Sequence, residues 1–462
     1  MTMSWKPDLK LGGGPLYLAI YQALANDIAS GKLPLLFRLP THRELADEMG
    51  VAVGTVTRAY LEAEQRGLIH SRGRAGTFVG QSRRREPYVA GLLRTDAPYI
   101  DLSVDAPSRT EDPDLLAAFR FLARRRETQL MLQYPTVPGL YHHRVAGAKW
   151  LASLGADVDP DSIIVTSGAQ NALMVIFSAL SEPGDVVMLD EHTYTGMILI
   201  ADALRLRLVG VPGDREGMLP DAMESICQRM KPRFLFCSPT IASPTNTILP
   251  ECRRRAIADL AEKYDFMVVE DDIHRRLVPE PPPLIWSLRP ERCCLVASVS
   301  KVVAAGLRVG YMATPPRLYD RLLDMLQATT MMVSGITLEI AAHWIENGTA
   351  EETVLNRRRD ARARQAVARE VLGQYDYDAQ PTSYFIWLRL PEPWTVPCFI
   401  AEASRRGIVV APAVAFAVDK GKPLNAVRIA LVKPATHENL RSALEILADI
   451  LSSVPPCECL TI

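Results

Sequence analysis

Ser298-Val299-Ser300-Lys301-Val302-Val303-Ala304-Ala305-Gly306-Leu307-Arg308 sets one lysine among small residues, with two hydroxyls ahead of it and an arginine beyond. A primary amine so placed suits a Schiff base, and the hydroxyls and guanidinium suit a phosphate beside it. The run leaves an apolar stretch, Leu295–Ser298, and outward from it the chain alternates β-rich and helical segments. Candidate strands are Ile163–Thr166, Val186–Leu189, Arg207–Val211, Phe234–Ser238, Met267–Glu270 and Leu295–Ser298; candidate helices are Gln170–Ala179, Asp221–Met230 and Arg253–Tyr264. Near-continuously apolar strands separated by helices predict an α/β fold with a mainly parallel sheet covered on both faces. Ligands of such sheets sit beyond the carboxyl ends of the strands.

The chemistry-bearing residues fall at those ends. Ser167-Gly168-Ala169-Gln170 turns from a strand into a helix, and amides at a helix N-terminus make an anion site; glycine turns of this kind are also common without a ligand. Tyr194, after Leu189-Asp190-Glu191, can lie flat on a ring, though a half-buried tyrosine reads the same way. Ser238-Pro239 and Pro244-Thr245-Asn246 end a rigid turn on an amide, and Glu270-Asp271-Asp272 puts acids where a metal or an aromatic nitrogen binds. In this order the signals resemble fold-type-I pyridoxal-phosphate enzymes of the aminotransferase class, over roughly residues 99–450. The resemblance implies pyridoxal 5'-phosphate as cofactor. Lys301 would carry it as a Schiff base, Asp271 would pair with the pyridine nitrogen, Asn246 would bond the phenolic oxygen and Tyr194 would stack on the ring. Ala169, Gln170, Ser298, Ser300 and Arg308 would hold the phosphate, the last by charge-assisted bonds. Arg428, in Asn425–Ala430, matches the arginine that clamps a ligand carboxylate. There are two departures. His274 stands where relatives carry a tyrosine against the phenolic oxygen, and imidazole titrates near neutrality. Pro381-Thr382-Ser383-Tyr384-Phe385-Ile386-Trp387 replaces a frequent glycine pair, so Ser383 and Tyr384 are expected to narrow the pocket.

The N-terminal part reads differently. Leu16, Ile20, Leu24 and Ile28 form one helical stripe over residues 15–31. Thr41 and Glu44 form a capping box ahead of a second helix with Leu45 and Met49 on its apolar side. Gly50 suits a tight turn into a third helix that buries Val56, Tyr60 and Ala63. Leu68–Ser71 and Thr77–Val79 can pair as strands around a basic turn, residues 73–76. From Pro15 to Val79 the segments PLY, RLPTHRELADEMGV, TVTRAY and GLIHSRGRAGTFV resemble the GntR-type winged helix–turn–helix. That resemblance implies double-stranded DNA as partner. Arg38, Thr41 and Arg43 would reach phosphates or bases from the start of the second helix, Thr55, Thr57 and Arg58 from the recognition helix, and Arg72, Arg74 and Thr77 from the wing. Many relatives carry an arginine where this chain has Ala52-Val53-Gly54, so base reading is expected to fall to Arg43, Arg58 or the wing. With the two resemblances joined, the chain is similar to the MocR family of regulators.

The expected organisation is a DNA-binding domain over residues 12–80, a linker over 81–98 and an aminotransferase-like domain with a smaller C-terminal α/β lobe over 99–455. The whole is long enough for several cores. Residues 1–85 carry 12 Lys and Arg against 7 Asp and Glu, and the remainder 40 against 46, so a basic head joins an acidic body. Arg83-Arg84-Arg85 marks the linker, which extended could span roughly 60 Å. No apolar stretch approaches a membrane span and the N-terminus lacks a signal-peptide core, so the expected compartment is the cytoplasm. Cys227, Cys237, Cys252, Cys398 and the close pairs Cys293–Cys294 and Cys457–Cys459 lack zinc spacing and are expected to be buried reduced thiols, with no metal site. Two functional classes stand open: a regulator that senses a small amino-acid-like effector, as a homodimer, or a working aminotransferase with a DNA-binding appendage.

Overall fold

The computed structural model describes residues 5–7, 15–29, 33, 37–65, 68–71, 76–79, 99–107, 112–125, 131, 133–134, 137–419 and 424–455. The chain divides into two compact units, Met1–Leu93 and Arg94–Ile462. Arg72, Arg74, the 81–98 linker, Cys457 and Cys459 lie outside the described residues.

In the first unit, helices Leu16–Ala29, His42–Met49 and Val53–Gln65 stand beside a small antiparallel sheet. The reciprocal cap is present: Thr41 N donates to Glu44 Oε2 at 2.7 Å and Glu44 N to Thr41 Oγ1 at 3.2 Å. Gly50 closes the helix at φ 65°, a left-handed position that suits a residue without Cβ. Ile20, Leu24, Leu45, Val56, Tyr60 and Ala63 meet in one core. Ile69–Ser71 pairs with Thr77–Val79, as the pattern predicts; Arg38–Leu39 adds a third strand on the other edge of Thr77–Val79. Trp5 also enters this core, its Nε1 donating to Asp27 Oδ2 at 2.8 Å.

The second unit is built on a seven-stranded sheet. Its order is Ile163–Thr166, Gly310–Ala313, Cys293–Ser298, Met267–Asp271, Phe234–Cys237, Val186–Asp190 and Arg207–Val211. All neighbours are parallel except those of Gly310–Ala313, which runs antiparallel between its two partners. Alternation along each strand feeds opposite faces: Ile164, Phe234 and Phe236 join one cluster, while Leu235 and Cys237 join another. A smaller antiparallel sheet follows, ordered Tyr377–Asp378, Phe385–Arg389, Ala426–Ala430, Ala411–Pro412. It shares an apolar cluster with helices Thr349–Leu372 and His437–Ser452. The strand Ile100–Asp101 pairs in parallel with Ile408–Val409 and leads the following segment back across the unit.

Cys227, Cys237, Cys293, Cys294 and Cys398 are buried and outside any disulfide; Cys252 departs from expectation and is exposed, because it lies on the outer side of helix Glu251–Lys263. Among the described residues, no helix is long and apolar enough to cross a membrane.

Candidate functional site

Three consecutive acids, Glu270, Asp271 and Asp272, end the strand Met267–Asp271 and are all buried. Two are anchored inside the protein. Glu270 accepts from the amides of Ile285 and Trp286 at 3.1 and 2.8 Å. Asp272 accepts from Thr240 Oγ1 at 3.0 Å and Arg275 Nη1 at 3.2 Å. Asp271 differs: the Oδ1 atoms of Asp271 and Asp272 are both buried without a partner, but Asp272 is held through Oδ2, whereas the Asp271 side chain has no such anchor among the described residues. Burial pushes its carboxyl up to about 7, the charge of Asp272 adds to this, and Lys301 opposes it. A buried carboxylate oxygen left open needs a cationic or donating ligand atom.

Lys301 follows the strand Cys293–Ser298. Its Nζ donates to the backbone oxygen of Asp105 at 2.6 Å and to Asp105 Oδ2 at 2.8 Å. His274 Nε2 meets the same Oδ2 at 3.1 Å, so in this structure the histidine faces an acid that pattern reading did not single out. Burial works against the charge of Asp105, yet Lys301 and His274 together hold its carboxyl well below the usual range. The signal for Asp105 is tertiary, since 196 positions separate it from Lys301.

An anion cup lies beside the lysine. Gly168, at φ 83°, precedes the helix Ala169–Leu180, whose first amides have no partner within the helix. A Cβ at Gly168 would stand 2.6 Å from Arg308 Nη2, so only glycine lets the guanidinium approach this turn. Arg308 Nη1 donates to Ser300 Oγ at 3.2 Å, and Ser298 Oγ donates to Val309 O at 2.8 Å and lies 3.0 Å from Ser300 Oγ. Gln170 Nε2 donates to Gly196 O at 3.3 Å. Tyr194 is pushed up to about 12 by burial, with Asp271 and Asp105 adding and Arg308 opposing. Ala169, Gln170, Ser298, Ser300, Arg308, Tyr194, Asp271 and Lys301 are therefore brought to the carboxyl ends of the strands. An anion cup, an aromatic ring, an open carboxylate oxygen and an amine suit the phosphate, ring and carbonyl of a pyridoxal-type group.

Two further residues close the pocket. Asn246, at φ 63°, donates through Nδ2 to Phe385 O at 3.1 Å and Asp378 O at 3.2 Å. With both amide hydrogens occupied, the atom it leaves open is the acceptor Oδ1, which is buried and without a partner among the described residues. Arg428 is buried in the strand Ala426–Ala430. It donates to Ser243 Oγ at 2.9 Å and Ser103 O at 2.8 Å, with the rings of Phe385 and Phe416 beside its guanidinium. Burial pushes it down to about 9, so it stays cationic at neutrality. Ser103 and Asp105 belong to one short segment, which thus ties Arg428 to Lys301. Ser383 and Tyr384 are both buried. Ser383 Oγ is spent on Phe385 O at 3.0 Å, and Tyr384 packs into the core under the large sheet.

On the first unit, Arg38, Thr41, Arg43 and Arg58 are exposed, and Thr55, Thr57 and Thr77 are partly so. Some are already engaged. Thr41 caps its helix, Thr57 Oγ1 donates to Val53 O at 3.0 Å, and the Arg58 guanidinium lies 4.3 Å over the ring of Tyr17. Arg38 packs beside Gly76, at the root of the wing. Elsewhere in the second unit, His142, His143 and Glu339 have metal-ligand types within reach of one another. Arg125 donates to the same carboxylate at 2.7 Å, a fixed positive charge that disfavours a cation there.

The model of the family "Aminotransferase class I and II" matches residues 97–447, and that of "Bacterial regulatory proteins, gntR family" matches residues 16–79. The chain is 28% identical over 454 residues to the uncharacterized HTH-type transcriptional regulator YdeF of Bacillus subtilis (strain 168), covering 98% of each. It is 29% identical over 462 residues to the uncharacterized HTH-type transcriptional regulator YjiR of Escherichia coli (strain K12), covering 92% of this chain and 97% of that one. Among solved structures, the kynurenine aminotransferase of Pyrococcus horikoshii shares the fold at TM-score 0.73 and 23% identity, covering 85% of this chain and 98% of that one.

Proposed function

The chain belongs to the class I and II aminotransferase family and carries a gntR-family head, the composition of MocR regulators, and on that premise we propose that it is a DNA-binding transcription regulator whose body binds pyridoxal phosphate and answers a small amino compound. The observation that carries the reading is the joining, in one chain, of a helix–turn–helix head to a body with a lysine-centred site that groups an anion cup, an aromatic ring and a buried acid. When bound, pyridoxal phosphate supplies an electrophilic carbonyl carbon conjugated to a ring that draws electrons from it.

The residues would divide the work as follows. Gly168 would allow Arg308 to close on the phosphate together with the amides of Ala169 and Gln170 and the hydroxyls of Ser298 and Ser300. Asp271 would pair with the ring nitrogen and keep a proton there. Tyr194 would cover the ring, Asn246 and His274 would serve its phenolic oxygen, and Lys301 would offer its amine to the carbonyl. Arg428, which donates to Ser243 Oγ and Ser103 O, would offer a planar two-point grip to a carboxylate. An effector carrying an amine and a carboxylate satisfies both Lys301's site and Arg428. Two heads on a homodimer would read two half-sites. Exposed Leu115, Leu116 and Phe119 on one helix and Tyr141 and Val145 on another supply apolar surface for such pairing. The DNA partner and these features are consistent with a cytoplasmic location.

A working aminotransferase is the second reading, favoured by the same intact site. Purified full chain loaded with pyridoxal phosphate separates the two when multiple-turnover assays with amino donors and 2-oxo acids are run beside DNA-shift assays on the region upstream of its own gene. The regulator reading expects an amino-acid-dependent change in DNA affinity with little or no turnover. Sustained turnover with DNA binding indifferent to amino acids overturns it.

A further inference from the structure

The contact between Lys301 and Asp105 has no counterpart in the roles assigned above. Asp105 sits on the segment after the strand Ile100–Asp101, with its side chain 6% exposed. It presents Oδ2 to Lys301 Nζ at 2.8 Å and to His274 Nε2 at 3.1 Å, and its backbone oxygen also accepts from Nζ. Its Oδ1 is buried without a partner among the described residues. A carboxylate in such a place is stable only beside positive charge. We propose that Asp105 is the counter-ion of the Lys301 nitrogen, a positioning residue that keeps a proton on that atom whether the lysine is free or joined to the cofactor, with His274 sharing the carboxylate. This deepens the cofactor assignment to Lys301 and rests on it.

Lys301 joins a carbonyl carbon by forming a carbon–nitrogen double bond, and the carbonyl oxygen leaves as water with two hydrogens from the nitrogen. A proton bound to that nitrogen afterwards makes it a cation, and a cation is what Oδ2 faces. The other charged or titratable groups around the nitrogen and its acid are few. Asp271 faces it from the strand Met267–Asp271, His274 from the turn that follows, Arg308 from the end of the lysine loop, and Tyr194 and Tyr384 from the helix and strand that border Asp105. Asp271 makes no hydrogen bond to Nζ, and Arg308 carries the same charge as a protonated nitrogen. Asp105 is thus the acid in hydrogen-bonding contact with Nζ. An opposite charge this close moves a proton equilibrium by about one to three units. A protonated nitrogen is also the more electrophilic partner for an incoming amine, so the acid readies the site for effector exchange.

The test is a pH titration of the visible and near-ultraviolet bands of the full chain loaded with pyridoxal phosphate, for wild type, Asp105→Asn, Asp105→Ala and Asp105→Glu. Both neutral variants are expected to lose the protonated, longer-wavelength band at a pH lower by about one to three units. Asp105→Glu, which keeps the charge, is expected to recover at least part of the shift. Midpoints that coincide in wild type and either neutral variant, or a Glu variant that titrates like Asn, overturn the proposal. Two neutral substitutions keep the result open to contradiction should one fail to fold. Borohydride fixation and peptide mapping on the same samples keep the two readings apart. Cofactor fixed to Lys301 with an unmoved midpoint sinks only the counter-ion, whereas cofactor fixed elsewhere sinks the site.

Discussion

At the scale of single residues, the site is defined by which polar atoms the protein leaves unanswered. Glu270, Asp271 and Asp272 are equivalent in sequence, and all three are buried; only their partners set them apart. Glu270 is held by two backbone amides and Asp272, through its Oδ2, by a hydroxyl and a guanidinium, while the Asp271 side chain has no such anchor among the described residues and its Oδ1 stays open. Lys301 was legible because a lone lysine among small residues, ahead of an arginine, has few structural uses. Asp105 was not, because a single acid in a loop carries no periodicity and its meaning comes from a partner 196 positions away. Lys301→Ala is expected to abolish the borohydride-fixed cofactor adduct entirely while non-covalent uptake through Arg308 and Asp271 persists more weakly. Peptide mass mapping checks this, and a label found on another lysine in the wild type contradicts it.

At the scale of elements, local chemistry was readable where it repeats. The Thr41–Glu44 cap, the left-handed Gly50 and the strands with near-continuous apolar runs stand where the sequence puts them. Among the strands that escaped, including those of the smaller sheet, two show the physical reason. Arg38–Leu39 is two residues long and exists only because Thr77–Val79 offers it an edge. Gly310–Ala313 begins on glycine directly after the lysine loop, too short for a period, and its antiparallel place is fixed by the neighbours on either side. The turn at Gly168 joins strand, helix and anion cup, so it is where an element-level change should be felt in binding. Gly168→Ala forces a Cβ to 2.6 Å from Arg308 and strains a backbone at φ 83°. It should displace the guanidinium and weaken pyridoxal-phosphate binding by about tenfold or more, the loss of one charge-assisted hydrogen bond. Equilibrium titration of the cofactor with the refolded or native variant measures it; unchanged affinity would remove Arg308 from the phosphate.

At the scale of the whole molecule, charge asymmetry and two unlike patterns of periodicity announced a basic head and an α/β body. Neither could say what passes between them. The link proposed is thermodynamic. A ligand shifts the balance between two arrangements only by its differential affinity for them. Among the described residues, an element suited to supply that difference is the segment through Ser103 and Asp105. It accepts from Arg428 on one side and Lys301 on the other. An amino acid that takes the amine position and the Arg428 grip together must alter both contacts. The most direct measurement is therefore the DNA affinity of the cofactor-loaded full chain, titrated with amino acids and with matched amines lacking a carboxylate, for wild type and Arg428→Ala. The account expects wild-type affinity to change with amino acids and much less with the bare amines. It expects Arg428→Ala to keep cofactor colour and basal DNA binding while losing the response. Equal responses to both ligand classes in the wild type, or a full response in Arg428→Ala, would contradict it.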